Sequence, residues 1–295
     1  MLIRALMMRA CPAPFFEDAA RVSSFMATRR MTKANPGKNL DAAKMPGHWL
    51  LARMGKRVLR PGGVALTQRM LDALAIGSDD DVVEFAPGLG ITARETLKRG
   101  PKSYTAIERD RDAADIVKQA VHGPNCKCVV GSANATGLGS ECASVVYGEA
   151  MLTMQPLEEK RRIVGEAARL LKPDGRYGIH EIALVPDDIA ESIRSDLVRD
   201  ISGAIHHTTL PLTESGWCEL LRSQGLEIVG QVVVKMGLLN PRQLIRDEGL
   251  GRALGFVWNV ARDRQARRRV LAMRQAFLKY QDHMRAIMLV GRKTP

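Results

Sequence analysis

An acid buried in an apolar run and followed by a glycine turn is an arrangement that could hold a small polar molecule. In "DVVEFAPGLGITA", residues 81–93, Glu84 lies within the run, Pro87 stops it, and Gly88 and Gly90 turn the chain toward residues suited to a helix start. Such a turn lets the backbone approach a ligand and presents amide N–H groups at a helix N-terminus. Gly88-Leu-Gly90-Ile-Thr-Ala93 fits the pattern G-x-G-x-x-G/A, and Glu108, 18 residues after Gly90, ends the next apolar run. An acid there can accept hydrogen bonds from a ribose diol.

Two cofactor classes use this arrangement, and Glu84 separates them. A dinucleotide lays a pyrophosphate over the turn, where a carboxylate four residues before Gly88 adds repulsion. S-adenosyl-L-methionine brings a sulfonium and an ammonium, both cationic, so the same carboxylate is complementary. Charge therefore favours the methyl donor over NAD(P). Further along, His180-Glu181 and Glu149 could do proton chemistry. Adjacent strand residues face opposite ways, so only one of His180 and Glu181 can face a given pocket. His206-His207 reads as a solvated loop pair, and Met151, Met154 and Trp49 as pocket wall or core.

Short apolar runs alternating with helical stretches must position these residues. Strands are expected at 82–86, 103–108, 126–131, 144–148 and 176–184, with helices at 91–99, 111–121 and 157–171, the last stopped by "KPDG". Alternation of this kind argues for a doubly wound parallel sheet. Upstream, 40–76 reads as two helices broken at "RPGG". Downstream come a helix capped by Thr213, a strand "LEIVGQVVVKM", a helical insertion and a last strand "AIMLVGRK". Within the insertion, Val270, Met273, Phe277 and Met284 form an apolar stripe, with Arg267, Arg268, Arg269, Arg274 and Lys279 filling a basic outer face.

"VVEFAPGLG" followed by "YTAIERD" and later "LLKPDGRYGIHE" resembles class I S-adenosylmethionine-dependent methyltransferases across residues 64–236. The resemblance implies an α/β, doubly wound, Rossmann-like methyltransferase fold: a mostly parallel seven-stranded sheet whose last strand is antiparallel. A helical cap from the N-terminal helices and the insertion would cover the acceptor. The implied division is 1–38 leader, 39–75 N-terminal cap segment, 76–237 cofactor-binding core, 238–283 cap insertion and 284–295 last strand and tail. By the same resemblance Ala86, in place of the family's first glycine, would line the methionine part of S-adenosyl-L-methionine with Gly88 and Gly90. Glu84 would lie near the amino group and Glu108 would take the ribose hydroxyls. Ser132 and Ala133 fill the adenine position, where the family often has an acid. Tyr147 and Met151 would open the acceptor pocket, with His180 and Glu149 as candidate catalytic groups.

Composition narrows the acceptor. The net charge of +12 sits at the ends: residues 1–30 hold 5 Arg against 2 acids, residues 242–293 hold 13 Lys/Arg against 4 acids, and residues 31–241 hold 26 of each sign. A neutral middle, and "YGEAMLTMQP" where methylases of base amines carry Asn/Asp-Pro-Pro-aromatic, point away from nucleic acid. They favour a small-molecule acceptor, hydrophobic or lipid-like, methylated at O, N or C. Alternatives are an NAD(P)-dependent oxidoreductase, an RNA-binding or RNA-modifying protein using the basic insertion, and a cofactor-binding scaffold without turnover. Five cysteines without C-x-x-C pairs suggest a reducing cytoplasm and no metal site, and Cys126 and Cys128 share one strand face as packing. No run approaches 18 uncharged apolar residues, so no transmembrane segment is expected, though weak contact with acidic surfaces is. The Arg-rich first thirty residues read as a leader rather than a targeting peptide.

Overall fold

The apolar runs pair into one sheet, with helices packed on its two faces. The computed structural model describes residue 41 and residues 43–294; the leader expected over 1–38 lies outside them. Seven strands form the sheet: β1 (Asp81–Phe85), β2 (Ser103–Glu108), β3 (Cys126–Val130), β4 (Ala143–Glu149), β5 (Leu171–Leu184), β7 (Leu226–Lys235) and β8 (Met284–Lys293). A two-residue β6 (Leu212–Thr213) adds an eighth, parallel to the end of β5. The order is β3-β2-β1-β4-β5-β8-β7. All pairs from β3 to β5 are parallel, and β8, antiparallel to both neighbours, slots between β5 and β7. The strand β5 begins at Leu171, directly after the helix, instead of waiting for "KPDG" to end. Its first residues irregularly pair with β4, and Asp174 takes φ 60°.

Strand alternation sorts side chains into two cores. On one face Val83, Phe85, Ile107, Val146 and Ile179 meet α5 (Leu157–Leu170) and α7 (Glu214–Arg222), anchored by the fully buried Trp217. On the other, Val82, Tyr104, Val145 and Tyr147 meet α2 (Gly63–Ala73) and α4 (Arg111–Ala120), with α3 (Ile91–Leu97) beside them. The helix α2 lies against β5 and β8, its Met70 and Leu74 so close to Gly178 that a Cβ there would stand 2.9 Å from Leu74 Cδ1. It therefore belongs to the layer covering the sheet. The core thus starts near residue 63, not 76 as the sequence division had it.

The insertion forms three helices, α8 (Pro241–Glu248), α9 (Leu250–Arg262) and α10 (Arg264–Lys279). With α1 (Gly47–Arg53) and the end of α6 (Glu191–Ile205) they enclose a small core of their own, including Leu50, Phe256, Val260 and Met273. Two details of the expected amphipathic helix change. Met284 starts β8, and Arg269 is buried, with NH1 donating to Met45 O at 2.7 Å. Among the described residues no helix is long and apolar enough to cross a membrane.

Trp217 is the largest fully buried side chain, and its Nε1 donates to Ile182 O at 2.9 Å. Trp217→Ala leaves both a cavity and an unpaired carbonyl. The expected loss is about 3–5 kcal/mol in urea unfolding.

Candidate active site

The glycine turn is built from residues in left-handed conformations: Ala86 at φ 51°, Gly88 at φ 57° and Gly90 at φ 66°. Alanine tolerates this at roughly 1–2 kcal/mol, and Ala86 N is secured by Ile107 O at 2.8 Å. Gly88 lines the cavity, and the nearest heavy atom to a Cβ there would be Ala86 O at 4.0 Å, so any side chain would project into open space. Gly90 has a different reason. It caps α3, and a Cβ on it would lie 3.3 Å from Ala120 Cβ on α4. Gly90 lies behind the cavity wall, so the expectation that it lines the cofactor is corrected to a packing role.

The cavity of about 480 Å³ opens over the C-terminal ends of β1, β2 and β4. At one end lie Glu108, Gly131, Ser132 and Ala133. The Glu108 carboxylate accepts from Gly88 N and Asp110 N, each at 3.0 Å, so the acid of β2 also ties down the turn after β1. Burial pushes its pKa up against these backbone N–H donors. The wall is completed by His48, Trp49, Leu59, Met151, Met154 and His207. His207 thus leaves the solvated role expected of it. Its ring stands edge-on to His48, centroids 6.2 Å apart. Burial first, and then the neighbouring His207, lower the His48 pKa to about 4 despite Asp110, leaving it neutral near pH 7.

Two further carboxylates of the cavity lining have opposite electrostatics. Glu84 is buried, and its Oε2 accepts from Tyr104 OH and, at 2.6 Å, from Tyr147 OH. Burial raises its pKa to about 7; the two tyrosines oppose the rise and Glu149 adds to it. Tyr147 is fully buried, its hydroxyl shared by Glu84 and Thr96 at 2.7 Å. It supports Glu84 and does not line the cavity, which corrects the pocket role expected of it.

Glu149 is ionised by design of its surroundings. Arg60 NH1 donates to Oε2 at 2.7 Å, Thr92 hydroxyl bonds the same oxygen, and Thr67 hydroxyl and His180 Nδ1 (2.9 Å) bond Oε1. Burial alone would raise its pKa, but Arg60, His180 and Thr67 outweigh it and hold it at about 2. His180 Nε2 accepts from Gly62 N at 3.0 Å, which assigns the proton to Nδ1. With both nitrogens committed and no exposed surface, His180 lies outside the cavity lining. It positions Glu149 and is no free base, which corrects the catalytic role expected of it. Glu181, one residue on, faces the other way. Its carboxylate accepts from Met151 N (2.9 Å), Leu152 N (2.7 Å) and Thr153 N (3.0 Å), fixing the loop that carries Met151 and Met154.

Sequence reasoning missed Arg60, Thr67, Thr92 and His48, and did not foresee that Glu181 pins the loop after β4. The turn signal "RPGG" gave no indication that its arginine points inward. The insertion holds that segment: Glu248 Oε1 accepts from Arg57 N (2.7 Å) and Val58 N (2.8 Å), and Asn259 donates to Met54 O (3.0 Å). No insertion residue lines the cavity itself, so it backs the wall where a lid over the acceptor was expected.

A parallel sheet with one antiparallel strand beside its last parallel partner, a glycine turn after the first strand and an acid ending the second define a class I S-adenosylmethionine-dependent methyltransferase, and the chain belongs to that family. Residues 82–175 match the model of a methyltransferase domain. An uncharacterized protein of Haemophilus influenzae is 33% identical over 217 residues, covering 72% of this chain and 84% of that protein. A ribosomal RNA small subunit methyltransferase A of Maridesulfovibrio salexigens is 34% identical over only 65 residues, 22% of this chain and 24% of that one. Among solved structures, a geranyl diphosphate C-methyltransferase from Streptomyces coelicolor, crystallised with S-adenosyl-L-homocysteine, shares the fold at TM-score 0.58 and 15% identity, covering 78% of this chain and 76% of that one. The cofactor is S-adenosyl-L-methionine, and the dinucleotide alternative gives way to it. The residues fit: Gly88 leaves room at the turn, and Glu84 and Glu108 line the cavity, which gives a cationic, ribose-bearing ligand acids to meet.

Two outcomes follow from the carboxylates. Arg60→Ala strands a buried carboxylate, and a loss of roughly 3–5 kcal/mol is expected in chemical unfolding. Glu84, whose folded pKa lies above its unfolded value, favours the folded state at low pH, and that contribution is lost as pH rises from about 4.5 to about 7. A bound cation pulls the other way by favouring the carboxylate. The affinity for S-adenosyl-L-homocysteine, which keeps the ammonium, is expected to rise between pH 6 and 8 in calorimetry, and to be flat in Glu84→Gln; a rise that persists in Glu84→Gln assigns the titration elsewhere.

Proposed function

We propose that this protein transfers a methyl group from S-adenosyl-L-methionine to a small-molecule acceptor with an apolar body. The observation that carries the reading is the loop after β4. Where base-amine methylases carry Asn/Asp-Pro-Pro-aromatic, this chain has Met151 and Met154 on the cavity wall, pinned by the Glu181 carboxylate. A cavity wall formed by Met151, Met154, Trp49 and Leu59 suits an apolar acceptor.

In this reading the Glu108 carboxylate takes the ribose hydroxyls, the backbone at Ala86 and Gly88 lies along the methionine part, Ser132 and Ala133 face the adenine, and Glu84 faces the ammonium. When bound, the cofactor supplies an electrophilic methyl group, so the protein's task is positioning and exclusion of water. Glu149 stays ionised, paired with Arg60 and held by three further partners, so it orders the cavity floor without adding net charge. His48, neutral and on the wall, can orient a polar acceptor by hydrogen bonding, its pKa of about 4 making it a weak base.

A second reading, ribosomal RNA as acceptor, rests on the short matches to ribosomal RNA small subunit methyltransferase A. Incubating the protein with a methyl-labelled donor and, in parallel, a small-molecule extract or rRNA separates the two. Label is expected in the small-molecule fraction; label confined to rRNA overturns the proposal. Met151→Trp is expected to abolish transfer while S-adenosyl-L-homocysteine still stabilises the protein, by about 2.7 kcal/mol at a hundred times its Kd. Glu108→Ala is expected to lose that stabilisation.

A further inference from the structure

The insertion has a second face. On α9, Leu250, Leu254, Val257 and Trp258 are 62%, 60%, 55% and 61% exposed. Their spacing of four, three and one residues puts them on one side of the helix, roughly 100° wide. The opposite side, with Ala253, Phe256 and Val260, is buried in the cap core. The apolar side is therefore surplus to the fold. Soluble monomers rarely present a contiguous stripe of this kind without use.

The charges around it are of one sign. Between residues 241 and 279 every exposed charged side chain is Arg or Lys. Two of the three acids of this stretch turn inward, Glu248 accepting from Arg57 N and Val58 N and Asp247 from Val64 N at 3.0 Å; the third, half-exposed Asp263, is taken up capping α10 through Gln265 N and Ala266 N. Arg262 lies over the Trp258 ring, 5.4 Å from its centroid, setting a cation beside the apolar stripe. Leu271 and Leu278 extend exposed apolar surface onto α10, at 50% and 45%.

We propose that α9 and its neighbours dock on an anionic lipid surface, the apolar stripe entering the acyl boundary and the arginines meeting the headgroups. Leucine, valine and tryptophan on one side with arginine at the edges is the pattern of a helix lying in the plane of a bilayer interface. Each basic side chain near an anionic leaflet adds to the attraction. A nucleic acid would engage the arginines but leave the stripe in water, and a second copy of this chain would set like charges together. Residues 1–30, with 5 Arg against 2 acids, carry the same sign of charge as this face. The inference is independent of the acceptor, although Asn259, beside Trp258 on the same helix, holds the segment that leads into Leu59 and Arg60.

The test is flotation of the full chain with vesicles of phosphatidylglycerol and phosphatidylcholine, against phosphatidylcholine alone. Flotation is expected only with the anionic vesicles, weakening as salt is raised. Leu254→Glu/Val257→Glu is expected to reduce partitioning by more than about tenfold, while its stabilisation by S-adenosyl-L-homocysteine matches the parent, which shows that fold and cofactor site survive. Four results overturn the proposal: no flotation; flotation unchanged by the double variant, which leaves charge adsorption alone; a dimer in light scattering that the double variant splits, with no vesicle binding; or binding to RNA with none to vesicles.

Discussion

The buried ion pair between Arg60 and Glu149 organises the rest of the structure. Its members come from a loop before α2 and from the end of β4, and its partners come from α2 (Thr67), α3 (Thr92) and β5 (His180). Five segments that no local preference would bring together are thereby fixed at one point, directly under the cavity. A buried pair of this kind adds little net stability, because desolvation offsets most of the attraction. Its effect is on uniqueness. Any arrangement that moves one segment leaves a charge or a hydroxyl unpaired in a dry setting, and each such loss costs on the order of 1–3 kcal/mol or more.

That constraint explains why two acids only a short distance apart along the cavity floor behave so differently. Glu149 has a guanidinium, so it is ionised without a ligand. Glu84 has two phenols and no cation, so burial wins and its pKa rises to about 7. A cation entering beside Glu84 would supply the missing positive charge, so an acid that is half-protonated when alone responds to the charge of what enters. Glu149, already neutralised by Arg60, does not. One acid of the cavity is thus sensitive to charge and the other fixed.

How much of this was readable in the sequence depended on how far apart the interacting residues lie. The parallel α/β architecture followed from alternation of apolar runs and helices, and the meeting of Glu84, Gly88 and Glu108 at one cavity was legible because they lie within 25 residues. Even there, Gly90 turned out to serve the contact between α3 and α4, since a glycine pattern does not say which glycine faces the ligand. The Glu149 cluster was illegible because residues 60, 67, 92, 149 and 180 meet only through the topology. Alternation told that His180 and Glu181 point apart, but not that both are buried. Each is taken up by backbone N–H groups of a different loop. Tyr147 reads as pocket lining from its place at the end of β4 until Glu84, its register partner on β1, claims its hydroxyl.

The insertion carries this logic outward. Its inner surface supplies Glu248, Asp247 and Asn259 to backbone groups of residues 54–64, so the loop that delivers Arg60 has no freedom to swing away. Those acids are consumed in that role. Turning them inward strips the outer surface of negative charge and leaves arginine alone around the stripe on α9. The basic character concentrated at residues 242–293 is then a consequence of how the wall of the cavity is held, as well as of what the outer face meets. The helix pair thus meets the cavity wall with carboxylates on one side and presents cations and apolar side chains on the other. Asn259 of α9, next to the exposed Trp258, holds Met54 O six residues before the arginine that fixes Glu149.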